Sequence, residues 1–391
     1  MSEPMGDSSI AASPIAARRR HRPSGRQAAL ETAGLPRAAF RPAAAPRSGA
    51  AADFRSAMLK GLYILRNRDL IYGPAEQGDI SAIVDIYVPP QTTGSIAQSP
   101  SMLADAEVIF SGWGGPKIDA DFLAAAPRLK AVFYGAGSVR DIVTDAFWAR
   151  GVRITSAYAA NAIPVAEYIL SQVLFCLKRG WHYVRAIRGG GQWWGRVPTP
   201  GAYGSTVGLV SMGVIGRLAL GLLRPFDLKL IGYRHGRGGP GDRAELDREL
   251  NLELYTLEEV FRRSDVVSCH TPSLKATDGM ITGEHFASMK HGATFINSAR
   301  GSVVREDEMV EVLRRRDDLV AVLDVTDPEP PVSGSPLYEL PNVVLTPHIA
   351  GSLDGECRRM GRYMVEELGR FCDGRPLKWE ITRQQHAAGM A

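Results

Sequence analysis

Three short segments carry side chains that could act together: Asn297-Ser298-Ala299-Arg300-Gly301, Asp324-Val325-Thr326-Asp327-Pro328-Glu329-Pro330 and Thr346-Pro347-His348-Ile349-Ala350-Gly351. A guanidinium is a fixed planar fork of donors, suited to clamping a carboxylate. An imidazole gives up or takes up a proton near neutral pH. A carboxylate hydrogen-bonded to that imidazole orients it and favours its charged form. Arg300 and His348 thus offer an anion clamp and a proton carrier, and Glu329 adds a carboxylate on the segment between them. Taken singly, each has a plainer reading: a structural ion pair for Arg300, a surface acid for Glu329, a satisfied interior histidine for His348. One constellation explains all three together and is preferred for that reason.

The elements that must position these residues can be read from the pattern around them. Each segment ends an apolar, β-rich run: ATFINSA (293–299), VAVLDV (320–325) and NVVLTPH (342–348). In α/β proteins the carboxyl ends of parallel strands are where sites are built. Further buried-strand patterns lie at STVGLVSM (205–212), LKLIGY (228–233) and DVVSCH (265–270), with REDEMVEVLRRR (305–316) reading as a helix between strands. Upstream, LKGLYIL (59–65), AEVIFSGW (106–113), LKAVFYGAG (129–137) and RITSAYA (153–159) form a first set, and a helix over 164–187 with Pro164 in its first turn joins the two. A last helix, from Gly355 to about Cys372, carries the chain back toward the first lobe. The expected fold is α/β: two Rossmann-like, doubly wound parallel-sheet domains with a cleft between them. The expected boundaries are a substrate domain over 58–161 completed by 350–383, and a dinucleotide-binding domain over 162–349.

Between a strand and a helix stands Ser211-Met212-Gly213-Val214-Ile215-Gly216. Gly213 lets a pyrophosphate approach the backbone, Gly216 lets helix and strand pack closely, and the helix N-terminus offers free N–H donors. Ser211 occupies the usual place of a first glycine and is expected to make the turn with a negative φ. After the next strand, where a carboxylate normally receives the ribose hydroxyls of NAD, the chain reads Arg234-His235-Gly236-Arg237. With no acid to repel a 2′-phosphate and two guanidiniums to pair with one, NADP(H) is the favoured cofactor and NAD(H) the alternative.

Composition narrows the classes further. The chain has 391 residues, 45% hydrophobic and 23% charged, enough for two domains with real cores. Of the formal net charge of +4, residues 1–50 contribute +5 from eight Arg against Glu3, Asp7 and Glu31, so the remainder is about −1. A near-neutral body argues against a nucleic-acid partner. Residues 1–57, rich in Ala, Pro and Arg, are expected to be a disordered tail, with a transit peptide or an upstream start at the wrong Met as other readings. No apolar run is read as reaching the roughly 18 residues of a membrane span, so no membrane partner is expected. Cys176, Cys269, Cys357 and Cys372 show no CxxC and no metal-ligand spacing, so buried thiols, no metal and a cytoplasmic location are expected.

The glycine loop and the three polar segments, in this order, resemble the D-isomer-specific 2-hydroxyacid dehydrogenase family, over about residues 58–380. The resemblance implies hydride transfer between a nicotinamide cofactor and a small 2-keto or 2-hydroxy acid. By it Arg300 clamps the substrate carboxylate and keto oxygen, His348 is the general acid or base, and Glu329 orients His348. It also implies a contact of Asp324 with the nicotinamide carboxamide, with loop capping as the alternative. His270-Thr271-Pro272 lies under the adenine ribose, Ala299 adjoins the cofactor, and backbone N–H groups around Ala136 and Gly137 receive the carboxylate. The family's usual Asp-Asn shortly after is replaced by Val139-Arg140-Asp141. Ser111 to Gly115, with Trp113, is read as a cleft-lining loop. Formate-oxidising members pair their His with Gln, whereas this chain has Glu329. A nucleotide-sensing binding protein or corepressor on the same fold is the main alternative, and an amino-acid dehydrogenase using Lys130 a third. A homodimer is the family's common state.

Overall fold

Strand-forming runs in this chain are short, β-branched or aromatic, and buried on both faces, as parallel strands covered by helices must be. The computed structural model describes residues 58–190, 195–235, 250–387 and 389. The readings of the 1–57 tail and of Gly236 and Arg237 lie outside the described residues.

The first sheet contains β1 (Leu59–Ile64), β2 (Val84–Ile86), β3 (Val108–Ser111), β4 (Ala131–Tyr134) and β5 (Arg153–Ser156), all parallel in the order β2-β1-β3-β4-β5. The second contains β6 (Thr206–Val210), β7 (Lys229–Tyr233), β8 (Glu253–Leu254), β9 (Val266–Cys269), β10 (Thr294–Asn297), β11 (Val320–Leu323) and β12 (Val343–Leu345) in the order β12-β11-β10-β9-β6-β7-β8, also parallel. The chain starts this sheet in its middle, runs out to β8 and returns to β9 on the other side of β6. That reversal leaves a crevice beyond the carboxyl ends of β6 and β9, the place where doubly wound sheets take their ligands.

The joining helix differs from its expected form. It runs from Tyr158 to Leu177 and holds Pro164 in its interior. Its first turns, YAANAI, are rich in alanine and bury Ala159, Ala160, Ala162 and Ile163, so helix propensity and packing outweigh the one hydrogen bond Pro164 cannot donate. The expected boundary between residues 161 and 162 falls inside this helix. It ends where Arg179 takes a left-handed φ of 55°, and a separate helix, Gly180–Gly190, follows. Tyr158–Leu177 is also long and apolar enough to cross a membrane by length and composition, which corrects the reading that no run reaches that size. About half of it is buried inside the protein, against the Val214–Leu223 helix and the second sheet.

The helix Cys357–Cys372 returns to the first sheet, where Met360, Met364, Val365 and Leu368 close a core with Tyr63, Tyr72, Phe110 and Phe133. Gly361 is needed there because a Cβ would stand 2.1 Å from the carbonyl oxygen of Ile71. Arg362 bonds Glu76 at 2.8 Å and also pairs with Asp79, and Arg153 forks onto Glu380 at 2.7 and 2.8 Å. Cys176, Cys269 and Cys357 are buried free thiols, and Cys372 is exposed.

Candidate active site

The loop after β10 is set by one side chain. Buried Asn297 accepts the N–H of Ala299 at 3.1 Å and donates to the carbonyl of Arg300 at 3.0 Å, so the backbone turns and Arg300 leaves the sheet edge extended. Its Nη1 donates back to the Ala299 carbonyl at 2.6 Å. Behind it, Gly301 packs backbone to backbone on the next loop: a Cβ there would lie 2.0 Å from the carbonyl carbon of Thr326. The Arg300 guanidinium pKa is lowered first by desolvation, then by the charge of Arg140 across the cleft, with Glu329 acting in the opposite sense.

After β12, the Thr346-Pro347-His348 turn brings His348 into the left-handed region, φ 54°. Asp324, 1% exposed, holds this turn in place. Its carboxylate accepts from the Thr346 hydroxyl at 2.6 Å and from the N–H groups of Ile349 and Ala350 at 2.8 and 2.9 Å. A carboxylate only accepts, so Thr346 spends its proton there and the Tyr168 hydroxyl must donate to Thr346, at 3.2 Å. The geometry therefore displays the loop-capping role of Asp324. His348 Nδ1 meets Glu329 Oε1 at 2.6 Å, with both side chains about half exposed to the cleft. Glu329 reaches that point on a loop shaped by the Thr326 hydroxyl bonding the Pro328 carbonyl at 2.8 Å. Arg300, Glu329 and His348 are thus brought together at the ends of three adjacent strands.

Across the cleft, the loop after β4 places Ala136 and Gly137 at the edge of the first sheet. The Ser156 hydroxyl donates to the carbonyls of Ala136, at 3.0 Å, and Gly137, turning both inward. The N–H of Gly137 has no partner among the described residues. Trp113, in the loop after β3, is partly exposed. Lys130 sits at the opposite edge, just before β4 begins, and pairs with Glu107 at 2.7 Å. It stands away from the cleft, which removes the ground for an amino-acid dehydrogenase.

The dinucleotide loop forms as expected except at Ser211, whose φ is +82° rather than negative. The turn leaving β6 demands a left-handed residue: Ser211 N–H must reach the Tyr233 carbonyl at 2.8 Å while its own carbonyl folds against the first helical turn. A Cβ on Gly216 would lie 2.2 Å from that carbonyl, and one on Gly213 would meet nothing within 4 Å. Gly213 caps the Val214–Leu223 helix, with Val214 and Ile215 half-buried at its start. The Ser211–Tyr233 bond sets Arg234 beside this loop. His270, at the end of β9, is buried with neither ring nitrogen hydrogen-bonded among the described residues, and burial lowers its pKa to about 3. Pro272 follows, its carbonyl accepting from the Thr277 hydroxyl at 2.6 Å. An open cradle at Gly213, free N–H groups at a helix start and an unsatisfied neutral imidazole at the switch point together fit a nicotinamide dinucleotide.

Two contributors escape a reading of the sequence. Asn161, near the start of the joining helix, accepts the N–H of Ser352 just beyond the His348 turn at 2.8 Å. Tyr168, two turns on, anchors Thr346. Both sit in an apolar helical pattern with nothing local to distinguish them.

Two parallel-sheet lobes with a phosphate-cradling glycine turn and an Arg, Glu and His at the facing strand ends define a dinucleotide-dependent class of protein. The profile of the D-isomer specific 2-hydroxyacid dehydrogenase NAD binding domain matches residues 170–350. The chain is 33% identical to a glyoxylate reductase of Thermofilum pendens over 259 residues, 64% of this chain and 74% of that protein. It is 32% identical to a D-3-phosphoglycerate dehydrogenase of Mycobacterium leprae over 281 residues, 71% of this chain and 51% of that protein. The D-mandelate dehydrogenase structure from Rhodotorula graminis superposes with a TM-score of 0.68 at 25% identity, covering 83% of this chain and 98% of that one. The chain belongs to the D-isomer-specific 2-hydroxyacid dehydrogenase family. It spans about half the length of the phosphoglycerate dehydrogenases it matches.

Proposed function

We propose that this protein reduces a small 2-keto acid to the D-2-hydroxy acid, or runs the reverse oxidation, with a nicotinamide cofactor. The observation that carries the reading is the 2.6 Å contact between His348 and Glu329 at the mouth of the cleft, beside the Arg300 guanidinium, which has no ion pair among the described residues. A broken Arg, Glu and His set would have favoured a binding protein or corepressor, and here all three residues are present. The cofactor, when bound, supplies or receives the hydride. Arg300 and the Gly137 N–H hold the substrate carboxylate from opposite lobes, and His348 gives its Nε2 proton to the keto oxygen as the alkoxide forms. Glu329 fixes Nδ1 as the donor to itself, so that Nε2 faces the substrate. Ala299, His270 and Pro272 line the cofactor's path, and Asp324 receives the carboxamide with whatever acceptor capacity its loop bonds leave.

Arg234 beside the glycine loop supports NADP(H) over NAD(H). A charge-assisted pair with the 2′-phosphate is worth roughly 10- to 100-fold in kcat/KM. Exposed Phe175, Val184 and Ile187 on consecutive helices of the nucleotide lobe support a homodimer. The buried reduced thiols suit the cytoplasm.

The test is a panel of glyoxylate, hydroxypyruvate, pyruvate and bulkier keto acids with NADPH and NADH, following nicotinamide absorbance. His348→Ala should cost about 10²- to 10⁴-fold in kcat with cofactor affinity nearly unchanged. Inactivity across the panel with cofactor demonstrably bound overturns the reading, and a clear advantage for NADH overturns the cofactor preference.

A further inference from the structure

The joining helix Tyr158–Leu177 touches both sides of the reaction. At its start the N–H of Ala157 is shared between the carbonyls of Tyr134, at 3.0 Å, and Ala136, at 2.9 Å. The Ser156 hydroxyl, which turns Ala136 and Gly137 inward, also accepts the N–H of Tyr158 at 3.2 Å. The loop assigned to the substrate carboxylate is therefore tied to the first turn of this helix. Farther along stand Asn161 and Tyr168, seven residues apart, which places them two turns from each other on one face, about 10 Å along the axis. They grip the two ends of the His348 turn. Asn161 Oδ1 accepts the N–H of Ser352, four residues after His348, at 2.8 Å. The Tyr168 hydroxyl bonds Thr346, two residues before His348, at 3.2 Å. Among the described residues, the side chains of Asn161 and Tyr168 make no other hydrogen bond.

His348 holds a left-handed φ of 54°, which a residue with a Cβ keeps only where its neighbours enforce it. Asp324 fixes the middle of the turn from the second sheet, through the N–H groups of Ile349 and Ala350. That contact does not relate His348 to the other lobe. The helix supplies the relation, because one rigid element carries the substrate loop at its start and, within about three turns, both clamps on the proton donor. Gly351 allows the close approach, since a Cβ there would stand 3.2 Å from Asn161 Oδ1.

We propose that Asn161 and Tyr168 are positioning residues for proton transfer: through the helix they set His348 in register with the loop that holds the substrate carboxylate. The proposal rests on the reductase reading of the cleft. As hydride adds to C2 of the keto acid and leaves the nicotinamide oxidised, the carbonyl oxygen takes the Nε2 proton of His348. A misplaced imidazole slows that step and leaves both ligands as tightly held as before. Three variants separate the causes: Asn161→Leu removes the acceptor at similar size, Asn161→Asp keeps it, and Tyr168→Phe removes one oxygen. Single-turnover oxidation of bound NADPH or NADH by saturating keto acid, followed by stopped flow, gives a rate constant for transfer and an amplitude for the fraction of competent protein. Asn161→Leu should lower the rate constant about 10- to 100-fold and Tyr168→Phe about 3- to 10-fold, with full amplitudes. KM for the keto acid and Kd for the cofactor should stay within about threefold of wild type, and Asn161→Asp within about threefold in every measure. A loss of amplitude alone marks a merely structural role and overturns the proposal, as do unchanged rate constants, a loss in KM alone, or an Asn161→Asp as slow as Asn161→Leu. Should Asn161→Leu not fold, Tyr168→Phe decides by the same criteria. If wild type oxidises no cofactor with any keto acid, the reductase reading has failed, and the grip on His348 is read from its ring signals in protein labelled with ¹³C-histidine, identified by their loss in His348→Gln. Signals displaced in Asn161→Leu and Tyr168→Phe but not in Asn161→Asp support the grip, and unmoved signals overturn it.

Discussion

Replacing Ser211 by glycine should make this protein more stable. Ser211 has φ +82°, a region where a Cβ crowds the following carbonyl and costs about 1–2 kcal/mol. Its hydroxyl makes no hydrogen bond among the described residues, so nothing is lost by removing it. Glycine gives back part of the gain because its unfolded chain has more freedom to lose, about 0.4–1 kcal/mol. The net expectation for Ser211→Gly is a stabilisation of about 0.5–1 kcal/mol, worth roughly 1–3 °C in Tm for a chain of this size. Ser211→Ala separates the causes: it removes the hydroxyl but keeps the Cβ and the strain. Urea unfolding followed by circular dichroism should therefore rank Gly above Ser, with Ala equal to Ser within about 0.5 kcal/mol. Cofactor affinity should hold or tighten, because the loop no longer has to be forced into shape. If Ala proves as stabilising as Gly, the gain came from losing the hydroxyl and the backbone argument is wrong.

His270, held neutral with a pKa of about 3 against an ordinary 6.5, takes up its proton only on unfolding. Its contribution is therefore intact above pH 6.5 and is lost as the pH falls toward 3, reaching about 2 kcal/mol by pH 5. Urea titrations at pH 7.5 and 5.0 should show wild type losing about 2 kcal/mol more than His270→Asn, and parallel losses would remove His270 as the cause. Gly301→Ala must push a Cβ into the Thr326 backbone. It should destabilise by about 2–4 kcal/mol and cut kcat/KM steeply by displacing Arg300, while Ser302→Ala one position on leaves glyoxylate turnover intact. A stable, fully active Gly301→Ala would show that the two loops are not locked together.

The strands were legible because parallel strands buried on both faces are uninterrupted apolar runs, and AVFY or VAVL admits few other readings. Val84–Ile86 and Glu253–Leu254 were not, since two or three residues at a sheet edge carry no pattern. Arg300, Glu329 and His348 were legible because rare polar types interrupt such runs at their carboxyl ends. What supports them was not. Asn161 reaches a partner 191 residues away and Tyr168 one 178 residues away, and each is chosen by tertiary placement alone. Ser211 shows a different limit: residue type favoured a negative φ, but the turn out of β6 imposed the other sign.

The helix Cys357–Cys372 gives the first sheet one of its two covering layers, although the whole second sheet lies between them in the chain. During synthesis the lobe made first is thus the one finished last. At about 5–20 residues per second, the ribosome needs on the order of tens of seconds to travel from β5 to that helix. For that interval one face of the first sheet, with Tyr63, Phe110 and Phe133, lacks its cover, while the second sheet can be completed as it emerges. Demand for chaperone protection should therefore concentrate on the N-terminal lobe, and truncations just before Cys357 should expose aromatic surface there while leaving the nucleotide lobe's own core whole.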